Sequence, residues 1–228
     1  VFAEAVTGSM DGPEQTIPGF YSAGEAACAS VHGANRLGTN SLLDLVVFGK
    51  VGGERMRDYA LALPDFVPLA EDAGAMGRRE VQSLLDSKGR ERMGAIMADL
   101  QETMDQNCGV FRTEESLAKQ KETLAGLRKR FAGLGLDDHG QTYNLDLVEA
   151  LELSHMLDVA QALVEGALAR KESRGGHYRD DYSKRDDETW MKHTLAFLEE
   201  GSEIRLDYKP VRSKPLTVET IPPKERVY

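Results

Sequence analysis

The chain has 228 residues, 41% hydrophobic and 29% charged, enough for one large or two small domains around a buried core. A formal net charge of −10 excludes non-specific nucleic-acid binding, which needs basic surface. Cys28 and Cys108 lie far apart without a Cys-x-x-Cys pair, which argues against a disulfide framework or zinc site, and the longest apolar run, Leu42 to Phe48, is broken by Asp44 and falls short of the roughly 20 residues of a membrane helix.

The first twenty residues carry Gly and Pro with little periodicity. Val1-Phe2-Ala3-Glu4 is too acidic for a signal peptide, and a start without Met fits a processed or incomplete product. Met10-Asp11-Gly12-Pro13 reads as a turn. Pro18-Gly19-Phe20-Tyr21 reads as a turn and short strand, stopped by Gly24 with Glu25 behind it. An acid directly after a strand and a glycine suits sugar hydroxyls, although a surface carboxylate is the commoner case.

His32-Gly33-Ala34-Asn35-Arg36-Leu37-Gly38-Thr39-Asn40-Ser41 follows and leads into an apolar helix expected from Ser41 to about Lys50. Ser41 reads as its N-cap with Asp44 as a variant capping box, and Gly52-Gly53 as its end or bend. Arg36 admits two readings. Its planar fork suits a carboxylate, with Gly33 and Gly38 allowing close approach and the helix start at Asn40-Ser41 favouring negative charge. The plainer reading is a glycine-rich turn whose arginine makes a structural salt bridge.

From about Ala70 to Ser173 the pattern is helical. Met93, Ile96, Met97, Leu100 and Met104 form one stripe, closed by Asn107-Cys108-Gly109. Thr113 caps the next helix, with Glu114 and Glu115 at its positive end and Arg128, Lys129 and Arg130 at the other; Gly133-Leu134-Gly135 breaks it. Asn144 to Glu172 is the longest helical candidate, with a broad apolar face of Leu153, Met156, Leu157, Ala160, Leu163, Val164 and Ala167. Three such helices suggest an antiparallel bundle.

Arg170 to Tyr182 is a charged run with interleaved Gly, His and Tyr, which favours a loop hydrogen-bonded against another domain over a catalytic one. Trp190 to Leu198 fits a strand or short helix, and Ile204, Leu206 and Tyr208 alternate as in a strand. Pro222 to Tyr228 reads as an extended, docked tail. His155 reads as a core or interface histidine, and His139, His177 and His193 lack metal-ligand spacing.

Four motifs, in order, resemble the C-terminal part of the succinate dehydrogenase flavoprotein family of respiratory complex II, with fumarate reductase as the close relative. They are Pro18 to Cys28, Ser30 to Gly38 continuing through Asp44 to Gly49, Cys108-Gly109-Val110-Phe111-Arg112, and Ala169 to His177 continuing through Asp186-Asp187, Trp190 and Lys192-His193-Thr194-Leu195. The Pro222 to Tyr228 ending also matches, so the resemblance spans about residues 17 to 228, with 1–16 outside it. Aspartate oxidases share the His-Gly-Ala-Asn-Arg-Leu segment, but the Arg-Lys-Glu-Ser-Arg-Gly motif favours the dehydrogenase.

The resemblance implies an α+β fold: the C-terminal piece of a Rossmann-like FAD-binding domain over 1–62, a helical domain with an antiparallel bundle over 63–173, and a charged loop with a β-containing tail over 174–228. It implies that Arg36 binds a carboxylate of succinate or fumarate, that Glu25 bonds the FAD ribityl chain, and that Asn40, Ser41 and Leu42 line the flavin. No catalytic residue and no metal ligand is expected in this chain. The family's Gly-rich dinucleotide loop, flavin-linking histidine, capping domain and arginine proton shuttle lie N-terminal to this region. Thr39 stands where the family has Gly, or Ser in fumarate reductases.

The expectation is therefore the C-terminal half of a split flavoprotein, with FAD shared with an N-terminal polypeptide. Its partners would be an iron–sulfur subunit and membrane-anchor quinone-binding subunits, on the matrix side of the mitochondrial inner membrane or the cytoplasmic face in a bacterium. The alternatives are a non-catalytic scaffold subunit or a related FAD enzyme. Retention of Glu25, Arg36, Asn40 and Ser41 favours the catalytic reading.

Overall fold

A computed structural model of the chain describes residues 4–7, 15–199, 202–211, 213–214 and 217–222. The turn expected over Met10–Pro13 and the tail beyond Pro222 lie outside the described residues. The elements in order are β1 (Glu4–Thr7), β2 (Gln15–Tyr21), α1 (Gly38–Ala62), α2 (Ala75–Leu85), α3 (Met93–Cys108), α4 (Glu114–Ala132), α5 (Leu145–Ala169), α6 (Asp187–Trp190), β3 (Lys192–Leu198) and β4 (Ile204–Pro210). Short 3₁₀ turns occupy Gly24–Ala26 and Asp180–Tyr182. Each sheet is one antiparallel pair, β1 with β2 and β3 with β4, the latter in continuous register from Lys192↔Pro210 to Leu198↔Ile204.

The core lies where α3, α4 and α5 pack together. Ile96 and Leu100 from α3, Leu117, Leu124 and Leu127 from α4, and Leu153, Leu157 and Val164 from α5 are buried. Their three- and four-residue spacing makes one stripe per helix, and each buried side chain contributes about 1.5–3 kcal/mol. Met93, Met97 and Met104 pack against this core from its margin. Met156 and Leu163 stay largely exposed, so the buried face of α5 is narrower than its apolar content suggests. A buried polar chain crosses between α3 and α4: Asn107 Nδ2 donates to Gln120 Oε1 at 3.0 Å, and Gln120 Nε2 donates to Thr103 Oγ1 at 3.1 Å.

Helix ends follow local chemistry. Thr113 Oγ1 accepts from the Ser116 backbone N–H while the Thr113 N–H donates to Ser116 Oγ, both at 3.1 Å, so the expected cap on α4 is a full capping box. Asn144 caps α5 through the Leu147 N–H at 2.8 Å. The Gly133-Leu134-Gly135 break also makes a backbone crossing: the Gly89 and Glu91 N–H groups donate to Leu134 and Gly133, and the Gly135 N–H donates to Glu91. A Cβ on Gly89 would stand 1.8 Å from the Gly133 oxygen, so this crossing requires glycine.

Several expectations are corrected. Ser41 is not an N-cap: α1 starts at Gly38 with Leu37 in the cap position, and the Ser41 hydroxyl is taken by Arg36. Nor does Gly52-Gly53 end α1, which runs on to Ala62. Two mid-helix glycines cost about 1 kcal/mol each, and the following Glu54 to Leu61 stretch, rich in strong helix formers, carries the helix past them. Pro18 sits inside β2 in the stretch where the register with β1 shifts, an irregularity that tolerates proline. α5 stops at Ala169, because Arg170 and Glu172 enter an ion network. Trp190 to Leu198 divides into the end of α6 and β3.

Candidate functional site

The loop between the first 3₁₀ turn and α1 folds His32 and Arg36 back onto the start of that helix. Asp44 sits there with 4% exposure, one of only two buried residues among the 25 of α1. Its Oδ2 accepts from Arg36 Nη1 at 2.7 Å and from His32 Nε2 at 3.0 Å. The carboxylate only accepts, so Nε2 of His32 carries the hydrogen. Arg36 Nε donates to Ser41 Oγ at 2.9 Å, and Nη2 makes a long 3.5 Å contact with the Ser41 carbonyl. Asp44 Oδ1 is buried without a partner among the described residues.

The geometry shows the plainer reading of Arg36, a structural salt bridge. Each of its terminal nitrogens still carries a second N–H without a partner among the described residues. Its side chain remains 21% exposed. A carboxylate arriving at that edge meets a cation already aimed by its neighbours.

The other expected site residues lie on α1 or on the 3₁₀ turn packed against it. Ser41 is half-buried beneath Arg36, while Asn40 and Leu42 are exposed on the first turns of α1. Glu25 is exposed on the 3₁₀ turn, which packs on α1 through buried Gly24. No side chain caps α1 and its first turn holds no acid, so its N–H groups and dipole keep their positive character. Leu42, Leu43, Val46 and Val47 are exposed beside this terminus, an apolar face next to a positive helix end. That combination fits a planar ring that gathers negative charge along one edge.

The charged C-terminal run is a buried ionic knot. Glu172 is fully buried between Arg170 and Arg174 and accepts the Asp186 N–H. Burial pushes its carboxyl upward, but hydrogen bonds from Arg174, the Asp186 backbone and Arg170 outweigh it, so its pKa lies below the ordinary value. Arg179 is also fully buried and donates to the Ala167 and Leu168 carbonyls at the end of α5, to Glu114 and to Asp181. Its hydrogen bond lowers the Asp181 pKa to about 2. His177 Nε2 donates to the Arg170 carbonyl at 3.0 Å; burial first, and then Arg112, Arg170 and Arg179, lower its pKa. Burial raises the Cys108 thiol.

Sequence reading missed how this knot meets the arginine loop. The Gly176 N–H donates to the Ala34 carbonyl at 2.8 Å, and Ser30 Oγ shares a 2.8 Å hydrogen bond with His193 Nε2. A cleft of about 1410 Å³ opens between them, lined by His32 and Gly33 on one side and Arg174, Lys192 and His193 on the other. It missed Asp44 as an anchor too, although a lone acid inside an apolar run was the available signal. No group of three or more His, Cys, Asp or Glu among the described residues is placed to hold a metal ion, and none of their helices is long and apolar enough to cross a membrane.

The family model described as fumarate reductase flavoprotein C-term matches residues 97–228, more than half of the chain, and the FAD binding domain model matches residues 4–42. The chain belongs to the succinate dehydrogenase/fumarate reductase flavoprotein family. It is 42% identical over 227 residues to the mitochondrial succinate dehydrogenase [ubiquinone] flavoprotein subunit of Oryza sativa subsp. japonica, covering 99% of this chain and 36% of that protein. The fumarate reductase flavoprotein subunit of Mycobacterium tuberculosis is 43% identical over 219 residues, 93% of this chain and 37% of its own length. A solved mutant of E. coli quinol fumarate reductase FrdA superposes with a TM-score of 0.83 at 38% identity, over 94% of this chain and 36% of that one.

The chain thus spans about a third of the length of the relatives it matches. The match to the rice protein reaches beyond the expected start at residue 17, so residues 1–16 are not foreign to the family. The helical and small-sheet architecture is that of the flavoprotein's C-terminal region.

Proposed function

We propose that this chain is the C-terminal third of a succinate dehydrogenase flavoprotein and that Arg36 binds a carboxylate of succinate. The observation that carries this reading is the Arg36 guanidinium itself, fixed by Asp44 and Ser41, with donors at an open edge that have no partner among the described residues. Glu25 bonds the FAD ribityl chain, and Asn40, Ser41 and Leu42 line the ring at the positive start of α1. FAD, when bound, supplies the hydride acceptor for succinate oxidation. The chain's own part is to neutralise and orient one end of the dicarboxylate and to favour negative charge at the helix end.

The proton-accepting group and most cofactor contacts come from an N-terminal flavoprotein portion that packs on the exposed apolar face of α1. The proposed domain limits are 1–62, 63–173 and 174–228. Electrons then pass through an iron–sulfur subunit to quinone at membrane-anchor subunits. The assembly lies on the matrix side of the mitochondrial inner membrane, or on the cytoplasmic face in a bacterium.

Purification under native conditions tests the assignment. FAD, the N-terminal portion and an iron–sulfur protein should accompany the chain, with succinate-dependent reduction of a quinone analogue. Isolation of an intact complex that holds FAD yet neither binds nor oxidises succinate would refute it.

A further inference from the structure

We infer that the Gly175–Gly176 turn is a positioning clamp for the loop that carries Arg36; the inference rests on the proposed substrate role of that arginine. Three contacts from the C-terminal segment converge on Ser30 and Ala34. The Gly176 N–H donates to the Ala34 carbonyl at 2.8 Å. His193 Nε2 shares a hydrogen bond with Ser30 Oγ at 2.8 Å. Gly175, at φ +57, lies so close that a Cβ there would stand 2.6 Å from the Ala34 carbonyl carbon and oxygen and 2.9 Å from its Cβ.

These contacts act where the loop needs them. Ser30 has a positive φ of 60 without being glycine, and Gly33 follows at φ +62. Strained backbone persists only where surrounding structure holds it. Ala34 is two residues before Arg36, whose head is fixed on the other side by Ser41 and Asp44. The arginine is thus held from both ends, by α1 at its guanidinium and by the clamp through its backbone.

The clamp is itself rigid. Arg174, just before the turn, pairs with buried Glu172 and with Asp187, and its backbone exchanges hydrogen bonds with His177 across the turn. A shift of the Ala34 carbonyl cannot be absorbed by moving the turn without breaking that network. The loop must give instead, and Arg36 moves with it.

The two adjacent glycines make an internal control. A Cβ on Gly176 would meet the Ala34 oxygen at 3.4 Å, an ordinary contact. In the holoenzyme assembled around this chain, Gly175→Ala should raise the succinate KM and the dissociation constant of malonate, read from flavin absorbance, at least tenfold. FAD content should be normal and kcat within about threefold. Gly176→Ala should stay within about twofold on all readouts. Ser30→Ala, which adds no volume, should raise KM about threefold and keeps the test open if Gly175→Ala does not assemble. Unchanged KM and malonate binding in FAD-loaded Gly175→Ala, or in Ser30→Ala if only that variant assembles, would overturn the clamp. Raised values there beside a normal KM in Arg36→Lys would instead overturn the role of Arg36 and leave the clamp standing.

Discussion

Arg36 and Asp44 meet at 2.7 Å through Nη1 and Oδ2, and that same carboxylate oxygen also accepts from His32. One buried oxygen therefore ties both ends of the glycine turn to α1. Asp44→Asn removes the charge that holds the guanidinium while keeping the shape. Breaking a buried ion pair costs about 3–5 kcal/mol, and the partial exposure of Arg36 reduces this to about 2 kcal/mol. Thermal unfolding of the assembled protein should register that loss, with a succinate KM raised at least tenfold. A double-mutant cycle with Arg36→Lys should be strongly non-additive, because both changes remove one interaction.

Arg179 closes the end of α5 by donating to the Ala167 and Leu168 carbonyls while pairing with Glu114 and Asp181. A positive group at a helix C-terminus is favourable, and a planar fork reaches several acceptors at once. Arg179→Lys keeps the charge and loses the fork. It should cost about 3 kcal/mol, of the order found when a buried pair is broken. Denaturant unfolding measures this, and a loss under about 0.5 kcal/mol, as for an exposed pair, would show that charge alone suffices.

Acidification should unfold the C-terminal segment in two stages. The His177 pKa is lowered in the folded state, so unfolding takes up a proton and stability falls as pH drops below the ordinary value of 6.5. The guanidinium groups of Arg112, Arg170 and Arg179 face that imidazole and, with burial, oppose its protonation, outweighing the Arg170 carbonyl that accepts from Nε2 and favours it. Glu172 and Asp181 have depressed pKa values, so their contribution is present above the unfolded carboxylate range near pH 4 and is lost below it, down to about 2 for Asp181. Unfolding midpoints followed from pH 7 to 3 should show both stages. His177→Gln should flatten the upper stage and leave the lower one.

Much of the fold was legible because its helices obey simple periodicity. The Ile96, Leu100 and Leu153, Leu157, Val164 stripes are buried as their spacing predicts, and the Thr113 cap is where its side chain and the following acids put it. The limits of α1 were not legible, because serine and paired glycines are stop signals only where no tertiary contact competes. Here Arg36 claims the Ser41 hydroxyl and the helix continues to Ala62. Arg36 stood out as a candidate by residue type and order, whereas the carboxylate that holds it and the contacts on its loop did not. Asp44 looked like a capping residue, and the contact of Gly176 with Ala34 joins positions 142 apart, a distance no local pattern encodes.

The most direct test of the whole account is the succinate KM and turnover of Arg36→Lys in the assembled, FAD-loaded enzyme. Lysine keeps the charge but offers no fork to share among Asp44, Ser41 and a substrate carboxylate. The expected result is a fall in kcat/KM of at least a hundredfold, about 2.7 kcal/mol at the transition state, with FAD content unchanged. Wild-type kcat/KM in that variant would contradict it.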